Sequence, residues 1–265
     1  MLLEIAISTN KKNIDFLIDR IKDQIFNPNI LFTIIWQKEY KNESEEWIND
    51  NIRIIKFNEH GLSKSRNKAI RNARGDILLF SDDDIHYEPN IYNTITIAYK
   101  TIPDAEIITF KAYTKGKKPF KNYPNQVHKH NIRTAMKVSS WEITCNVSKI
   151  RNSNLEFNEL FGLGSIFPSA EENLFIIDAL KNGLKVYFYP EFIVVHPEEE
   201  TSSHNFSQKV IESKGAFLYE VFNKSSYFIS FFFTLKKYKK SNYSLFKFYK
   251  TMIRGIKSYK EIKNG

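Results

Sequence analysis

The chain has 265 residues, enough for one large domain or one domain with an appendage. Hydrophobic residues make up 42% and aromatics 15%, which excludes wholesale disorder, and a single cysteine, Cys145, excludes an intrachain disulfide framework or a cysteine-rich zinc site. The formal charge of +9, from 39 basic and 30 acidic residues, invites a nucleic-acid or anionic-membrane reading and raises the question of where the charge sits.

Leu2 to Ser8 is apolar and reads as a buried strand. It is not preceded by a basic stretch, so no signal peptide is expected. Asn13 to Ile25 carries Ile14, Leu17, Ile18, Ile21 and Ile25 at helical spacing. Ile30 to Trp36 is a second β-branched run, followed by a Glu-rich stretch expected to be loop and helix. Ile52 to Phe57 is a third strand. Ser63 to Ala73 is a polar helix, with Gly75 expected at its C-cap. Asp76 to Phe80 is a fourth strand that runs into Asp82-Asp83-Asp84. Glu106 to Ala112 is a further strand, and Lys115 to Lys137 is an irregular basic loop. Ser169 to Asn182 is a helix stopped by Gly183, and Val186 to Tyr189 and Phe192 to His196 are short strands. Alternating strands and helices imply an α/β sheet buried on both faces.

The three aspartates fall at the carboxyl end of a strand, where open α/β sheets bind ligands. Adjacent carboxylates repel one another unless a cation joins them. A divalent ion held by one or two carboxylates and by substrate phosphates would do so. A solvated acidic turn is the plainer reading of the same triplet.

Context favours the ligand. Gly61-Leu62-Ser63, then Ser65-Arg66-Asn67 and Ala69, lie upstream, followed by Ala73-Arg74-Gly75-Asp76, the strand and the aspartates. This order resembles the nucleotide-sugar domain of family 2 glycosyltransferases, which have the glycosyltransferase-A fold. Phe161-Gly162-Leu163-Gly164, Glu171-Glu172-Asn173 and Val195-His196-Pro197 resemble the acceptor-side half of that fold. The resemblance covers roughly residues 2 to 197. It implies a mixed, mostly parallel sheet flanked by helices.

The resemblance also implies roles. Asp82 and Asp84 would be the two arms of a metal site for Mn²⁺ or Mg²⁺, with His196 as a third ligand. Ser8, Thr9, Gln37, Arg66, Asp82 and Asp83 would line the donor site for a nucleoside-diphosphate sugar. Arg66 would give bidentate hydrogen bonds to the diphosphate. Two departures stand out. Where many relatives have an Asp-Gly-Ser segment whose Asp contacts uracil, this chain has Trp36-Gln37-Lys38. Where relatives often open with Pro-Thr-Tyr-Asn, it has Ser8-Thr9-Asn10.

Glu171 and Glu172 open a helix, where carboxylates are favourable on dipole grounds alone. An inverting sugar transfer needs one carboxylate to take the acceptor hydroxyl's proton. Glu172 aligns with the usual base of the family, and Glu171 is the second choice. Trp141 and Glu142 are expected at the acceptor site, with core packing as the other reading of Trp141. Gly162 and Gly164 allow close backbone approach to a ligand. They complete no dinucleotide fingerprint, because position 167 is Phe.

The charge excess has an address. Residues 205 to 265 hold 13 basic and 3 acidic groups, which leaves 26 and 27 in residues 1 to 204. The chain therefore divides into a near-neutral catalytic domain, 1–204, and a basic aromatic helical extension, 205–265. Leu245, Phe248, Tyr249, Met252, Ile253, Ile256 and Tyr259 form one helical stripe, with Lys247, Lys250, Arg254 and Lys257 opposite. Tyr227 to Leu235 is an aromatic run too short to span a bilayer, followed by Lys236, Lys237, Lys239 and Lys240. Residues 225–265 thus read as an interfacial membrane segment, or as an appendage that packs on the body or on a second subunit.

The expectation is a metal-dependent, inverting glycosyltransferase. It moves a sugar from a nucleoside-diphosphate sugar, with UDP as the expected carrier, to a glycan or lipid-linked glycan. That chemistry suits bacterial surface-polysaccharide assembly. It would work in the cytoplasm, at the inner face of the membrane, with no nucleic-acid partner. The rivals are a nucleic-acid-binding protein using the tail and a nucleotidyltransferase. The near-neutral body and the absence of a G-x-x-x-x-G-K-[ST] loop count against them.

Overall fold

Strand parity in the first β-strand decides which residues can reach the site. In a computed structural model describing residues 1–22, 24, 27–38, 42–197 and 206–264, that strand, β1, spans Leu3–Thr9. The chain continues through α1 (Asp15–Ile21), β2 (Ile30–Gln37), β3 (Ser44–Asn49), β4 (Ile52–Phe57), α2 (Leu62–Asn72) and β5 (Ile77–Asp82). Then come β6 (His86–Tyr87), α3 (Ile91–Thr101), β7 (Ile107–Thr114), β8 (His128–Lys129), α4 (Ile132–Ala135), β9 (Ile143–Asn146) and α5 (Val147–Asn152). The last elements are α6 (Glu171–Lys181), β10 (Val186–His196), α7 (Gln208–Phe222), α8 (Ser226–Lys237) and α9 (Leu245–Asn264). The 204/205 domain boundary and Ile25 lie outside the described residues.

The strands form one sheet in the order β3-β4-β2-β1-β5-β9-β7-β10-β6, with β8 pairing to β10. Its longest ladders are parallel: β1 with β2 and β5, β2 with β4, and β7 with β10. Leu3, Ile5, Ile7, Ile77 and Leu79 point to one core, shared with Leu17 of α1 and Ile91, Ile95 and Ala98 of α3. Ala6, Leu78 and Phe80 point to the other, shared with α2, α5, α6, α7 and α9. Side chains alternate along a strand, so Ser8 and Asp82 continue the second set. The two residues are register partners.

Several local expectations change. The Glu-rich stretch forms β3, an edge strand antiparallel to β4, rather than helix. Its six residues are all exposed, so no buried alternation marks it. The two short strands after Gly183 are one strand, β10. Register shifts beside Phe192 absorb the interruption at Pro190. Helix α2 ends at Asn72, and Gly75 is not its cap. A Cβ at Gly75 would lie 2.7 Å from the Glu4 Cβ. Glu4 is buried within the apolar β1. It accepts hydrogen bonds from Thr33 Oγ1 (2.6 Å), Arg53 Nη2 (2.9 Å) and the Gly75 amide (2.8 Å). Gly75 therefore gives the backbone room to reach a buried carboxylate that fixes the entry to β5.

The described part of the extension carries the α-helices α7, α8 and α9, and the apolar stripe of α9 turns inward. Phe248, Met252, Ile256 and Tyr259 of α9 are buried, while Lys247, Lys250, Arg254 and Lys257 are exposed. The Tyr259 ring meets Phe161 at 5.3 Å and Phe167 at 5.7 Å. Two glycines set the α7–α9 distance. A Cβ at Gly215 would be 2.1 Å from the Met252 carbonyl oxygen, and one at Gly255 would be 2.0 Å from that of Glu212. The helices touch backbone to backbone there. Among the described residues, no helix is long and apolar enough to cross a membrane.

Candidate active site

Arg66 joins the two acidic clusters. It lies on α2, fully buried, between the end of β5 and the start of α6. Its Nη2 donates to Asp82 Oδ1 at 3.0 Å and its Nη1 to Glu171 Oε1 at 2.9 Å. Its guanidinium carbon stands 5.6 Å from the centre of the Phe157 ring. Burial opposes its charge, but Asp82 and Glu171 outweigh that and raise its pKa. Phe157 stacks on Phe175 of α6 at 4.1 Å, and both rings meet Phe80 of β5 edge-on. This aromatic layer holds α6 against the strand and so fixes the separation that Arg66 bridges.

The other aspartates are held differently. Thr9 Oγ1 donates to Asp83 Oδ2 at 2.6 Å, tying the end of β1 to the acidic turn. Asp84 Oδ1 is buried with no hydrogen-bond partner. Burial raises the Asp84 pKa; Asp82 and Asp83 add to the rise and His196 opposes it. The His196 ring packs on Trp141 at 4.3 Å and on Phe120 at 5.2 Å. A carboxylate oxygen buried unpaired beside two further acids is the electrostatic condition that a divalent cation relieves. Among the described residues, however, no three His, Cys, Asp or Glu side chains are grouped to hold an ion by themselves. A cation held by Asp82 and Asp84 would take its remaining ligands from diphosphate and water, as a hard cation does.

Glu172 differs from its neighbour. Glu171 is neutralised by Arg66, whereas among the described residues no ion pair within 4.0 Å holds Glu172. Glu172 keeps some exposed surface, although protein surrounds its carboxyl on most sides. Burial, then the Glu171 charge, push its pKa up to about 8, while Lys214 of α7 pulls it back. Burial lowers the Lys214 pKa in turn, and Glu172 and Glu171 support its charge. The residue before the pair, Ala170, has a left-handed backbone (φ +80°), a strained conformation for a non-glycine residue that is common at functional sites.

The sequence profile of glycosyl transferase family 2 matches residues 9–157, more than half of the chain. The chain belongs to that family. It is a glycosyltransferase with the glycosyltransferase-A fold. Its fold resembles that of S. aureus TarS 1-349 in complex with UDP-GlcNAc, with a TM-score of 0.61 and 13% identity over 98% of this chain and 92% of that one. TarS 1-349 solved alone gives 0.60 and 14% over the same shares. The longer S. aureus TarS structure gives 0.58 and 15%, covering 88% of this chain and 43% of that one. Among curated proteins, none matches the sequence.

In this family 2 glycosyltransferase the remaining expected residues have visible local partners. Ser8 Oγ accepts from Ser65 Oγ at 2.7 Å, which seats α2 on β1. Gln37 Nε2 donates to the carbonyls of Glu59 (2.6 Å) and Gly61 (3.0 Å), holding the loop that leads into α2. A Cβ at Gly162 (φ +103°) would stand 2.9 Å from Ser63 Oγ and 3.3 Å from the Glu171 side chain. One at Gly164 (φ +84°) would stand 3.1 Å from the Gly61 Cα. Both glycines thus let their loop close on α2 and on Glu171. Glu142 is buried and accepts from Lys121 Nζ (2.8 Å), Tyr123 OH (2.6 Å) and the Ser139 amide (3.0 Å), so it anchors the 121–142 segment. Trp141 lies in the core shared by Leu3, Ile5 and Ile7, with its Nε1 buried and without a hydrogen-bond partner.

Sequence reasoning assigned no role to Lys214 or to Ser140, whose Oγ is 3.5 Å from Asp82 Oδ2. Neither stands in a motif. Lys214 lies 42 positions after Glu172, and only the packing of α7 brings it near.

Proposed function

We propose that the protein transfers a sugar, with inversion, from a UDP-sugar to a hydroxyl of a glycan or lipid-linked glycan. The observation that carries this reading is the contrast within the Glu171-Glu172 pair. Arg66 fixes Glu171 as a charged partner, and Glu172 is left beside it with a pKa of about 8. A base with a pKa near the working pH suits proton removal from a hydroxyl. Glu172 accepts the acceptor's proton as its oxygen attacks the anomeric carbon. Glu171 stays paired and holds the start of α6. The orphaned Asp84 oxygen and Asp82 would hold a divalent metal, which when bound screens the charge of the departing diphosphate. The glycosyltransferase-A fold and the UDP-GlcNAc complex of TarS support a UDP-sugar donor. Work at the inner face of the cytoplasmic membrane follows from a lipid-linked acceptor. In this reading the extension, 205–265, supplies a basic surface while its α9 stripe packs on the body, and association of two copies through it is the other arrangement of the tail.

A thermal-shift screen of nucleoside-diphosphate sugars, with and without Mn²⁺, tests the donor and metal together. A UDP-sugar should raise the melting temperature only when metal is present, and Asp84→Ala should remove that rise. A metal-independent shift would overturn the Asp82–Asp84 assignment. No shift with any donor would overturn the reading itself.

A further inference from the structure

Helix α8 turns its polar side inward and its aromatic side outward. Its buried residues are Ser226, Ser230 and Thr234, spaced i, i+4, i+8. Small side chains there let α8 lie close on α9, and Thr234 Oγ1 reaches Met252 Sδ at 3.5 Å. The Ser226 and Ser230 hydroxyls are buried with no hydrogen-bond partner. On the other side, Phe228, Phe231, Phe232 and Leu235 are 68%, 40%, 52% and 44% exposed, at i, i+3, i+4, i+7 spacing. Phe246, at the start of α9, is 74% exposed. An ordinary surface helix does the reverse. A contiguous exposed apolar patch of this kind marks an interaction surface.

The rings already form one surface. Phe232 meets Phe228 at 4.7 Å and Phe231 at 5.7 Å, and Phe231 meets Tyr249 of α9 at 5.8 Å. The surrounding charge has one sign. Lys236, Lys239, Lys240, Lys247 and Lys250 are exposed, and no Asp or Glu occurs between Glu220 and Glu261. Two copies meeting through this face would bring two lysine clusters together, a repulsive arrangement. An anionic surface complements it, and lysines beside outward aromatic rings are the composition of an interfacial membrane helix.

We propose that the outward face of α8 docks on an anionic lipid bilayer. Its rings enter the headgroup boundary, and Lys236, Lys239 and Lys240 meet lipid phosphates. This narrows the expected membrane segment, residues 225–265, to α8, because the α9 stripe is buried. It does not depend on the sugar-transfer reading, because its test involves no donor.

Co-sedimentation of the full chain with phosphatidylcholine vesicles, with and without phosphatidylglycerol, tests the proposal. Binding should require the anionic lipid and weaken with salt. Phe228→Ser combined with Phe232→Ser should lower vesicle affinity at least about tenfold, as should Lys236→Glu combined with Lys239→Glu and Lys240→Glu. All five side chains are exposed, and unchanged melting temperatures of the variants would show that folding is intact. If one variant fails to fold, the other still decides. Absence of binding by the intact protein, or full binding by the Phe variant, would overturn the proposal. So would a concentration-dependent dimer in light scattering that the Phe variant abolishes while vesicles bind neither protein; that result assigns the face to a second copy.

Discussion

The active site and the helical extension handle charge in opposite ways. At the end of β5, acids crowd together, and one buried arginine is shared between Asp82 and Glu171. Along α8 and α9, cations stand exposed, with no acid between Glu220 and Glu261. In the first region the protein supplies partners for Asp82, Asp83 and Glu171 and leaves two carboxyls, Asp84 and Glu172, with raised pKa values. In the second, among the described residues, acids pair only with Arg254 and Lys263, and phenylalanines turn outward beside the lysines. The contrast teaches that a net charge of +9 describes neither region. Chemistry depends on the few charges that are desolvated, and docking depends on those that remain solvated.

Four variants would break or sharpen this contrast. The largest effect belongs to Glu172→Gln. Transfer should fall about 10²–10⁴-fold while donor binding stays intact, as expected for loss of a general base. Retained turnover would remove Glu172 from the mechanism. The same variant has a stability signature. The folded pKa of Glu172, about 8, lies above its ordinary value of 4.5. Its contribution to stability is therefore complete below the ordinary value and is lost as pH rises through about 8. Gln stays neutral, so the melting temperature of the variant should exceed that of the parent above pH 8 and converge with it in mild acid.

Arg66→Ala comes next. It strands two carboxylates that the arginine now pairs, so urea unfolding should show a loss of about 3–5 kcal/mol. An arginine that served the diphosphate alone would leave stability unchanged and affect only donor affinity. Gly255→Ala tests the extension in the same currency. Its methyl group would overlap the Glu212 carbonyl oxygen, so a loss of about 1–3 kcal/mol is expected in the same assay. Unchanged stability would mean that α9 is not clamped to α7. The smallest effect links the two regions. The Lys214 charge holds the Glu172 pKa down, so Lys214→Met should move the rising limb of the pH–rate profile to higher pH. An unmoved profile would separate the extension from catalysis.

The fold was largely readable where hydrophobic pattern and local chemistry agree. The buried strands at Leu3–Thr9, Ile30–Gln37 and Ile77–Asp82 are β-branched or leucine-rich runs, and the structure places them side by side. The exposed β3 was not readable, because pairing with β4 creates it and burial does not mark it. In the site, the acidic triplet and the Glu pair were recognisable as motifs. Their connection through Arg66 was not, because hydrogen bonds across 16 and 105 positions leave no local trace. Glu4 was hidden for a related reason. It sits in a strand that reads as apolar, and its partners Thr33, Arg53 and Gly75 come from three other segments.

Taken alone, the amino-acid order determined the α/β class, the family and the segregation of basic charge into residues 205–265. Those properties rest on periodicity, motif order and composition, which need no knowledge of contacts. Only the tertiary structure decided which carboxylate is neutralised and which is not. That choice depends on burial and on a guanidinium carried by a different helix. It also decided that the α9 stripe faces the core while α8 shows its phenylalanines. A helical wheel identifies an apolar face, but what that face meets is settled by the helices packed against it.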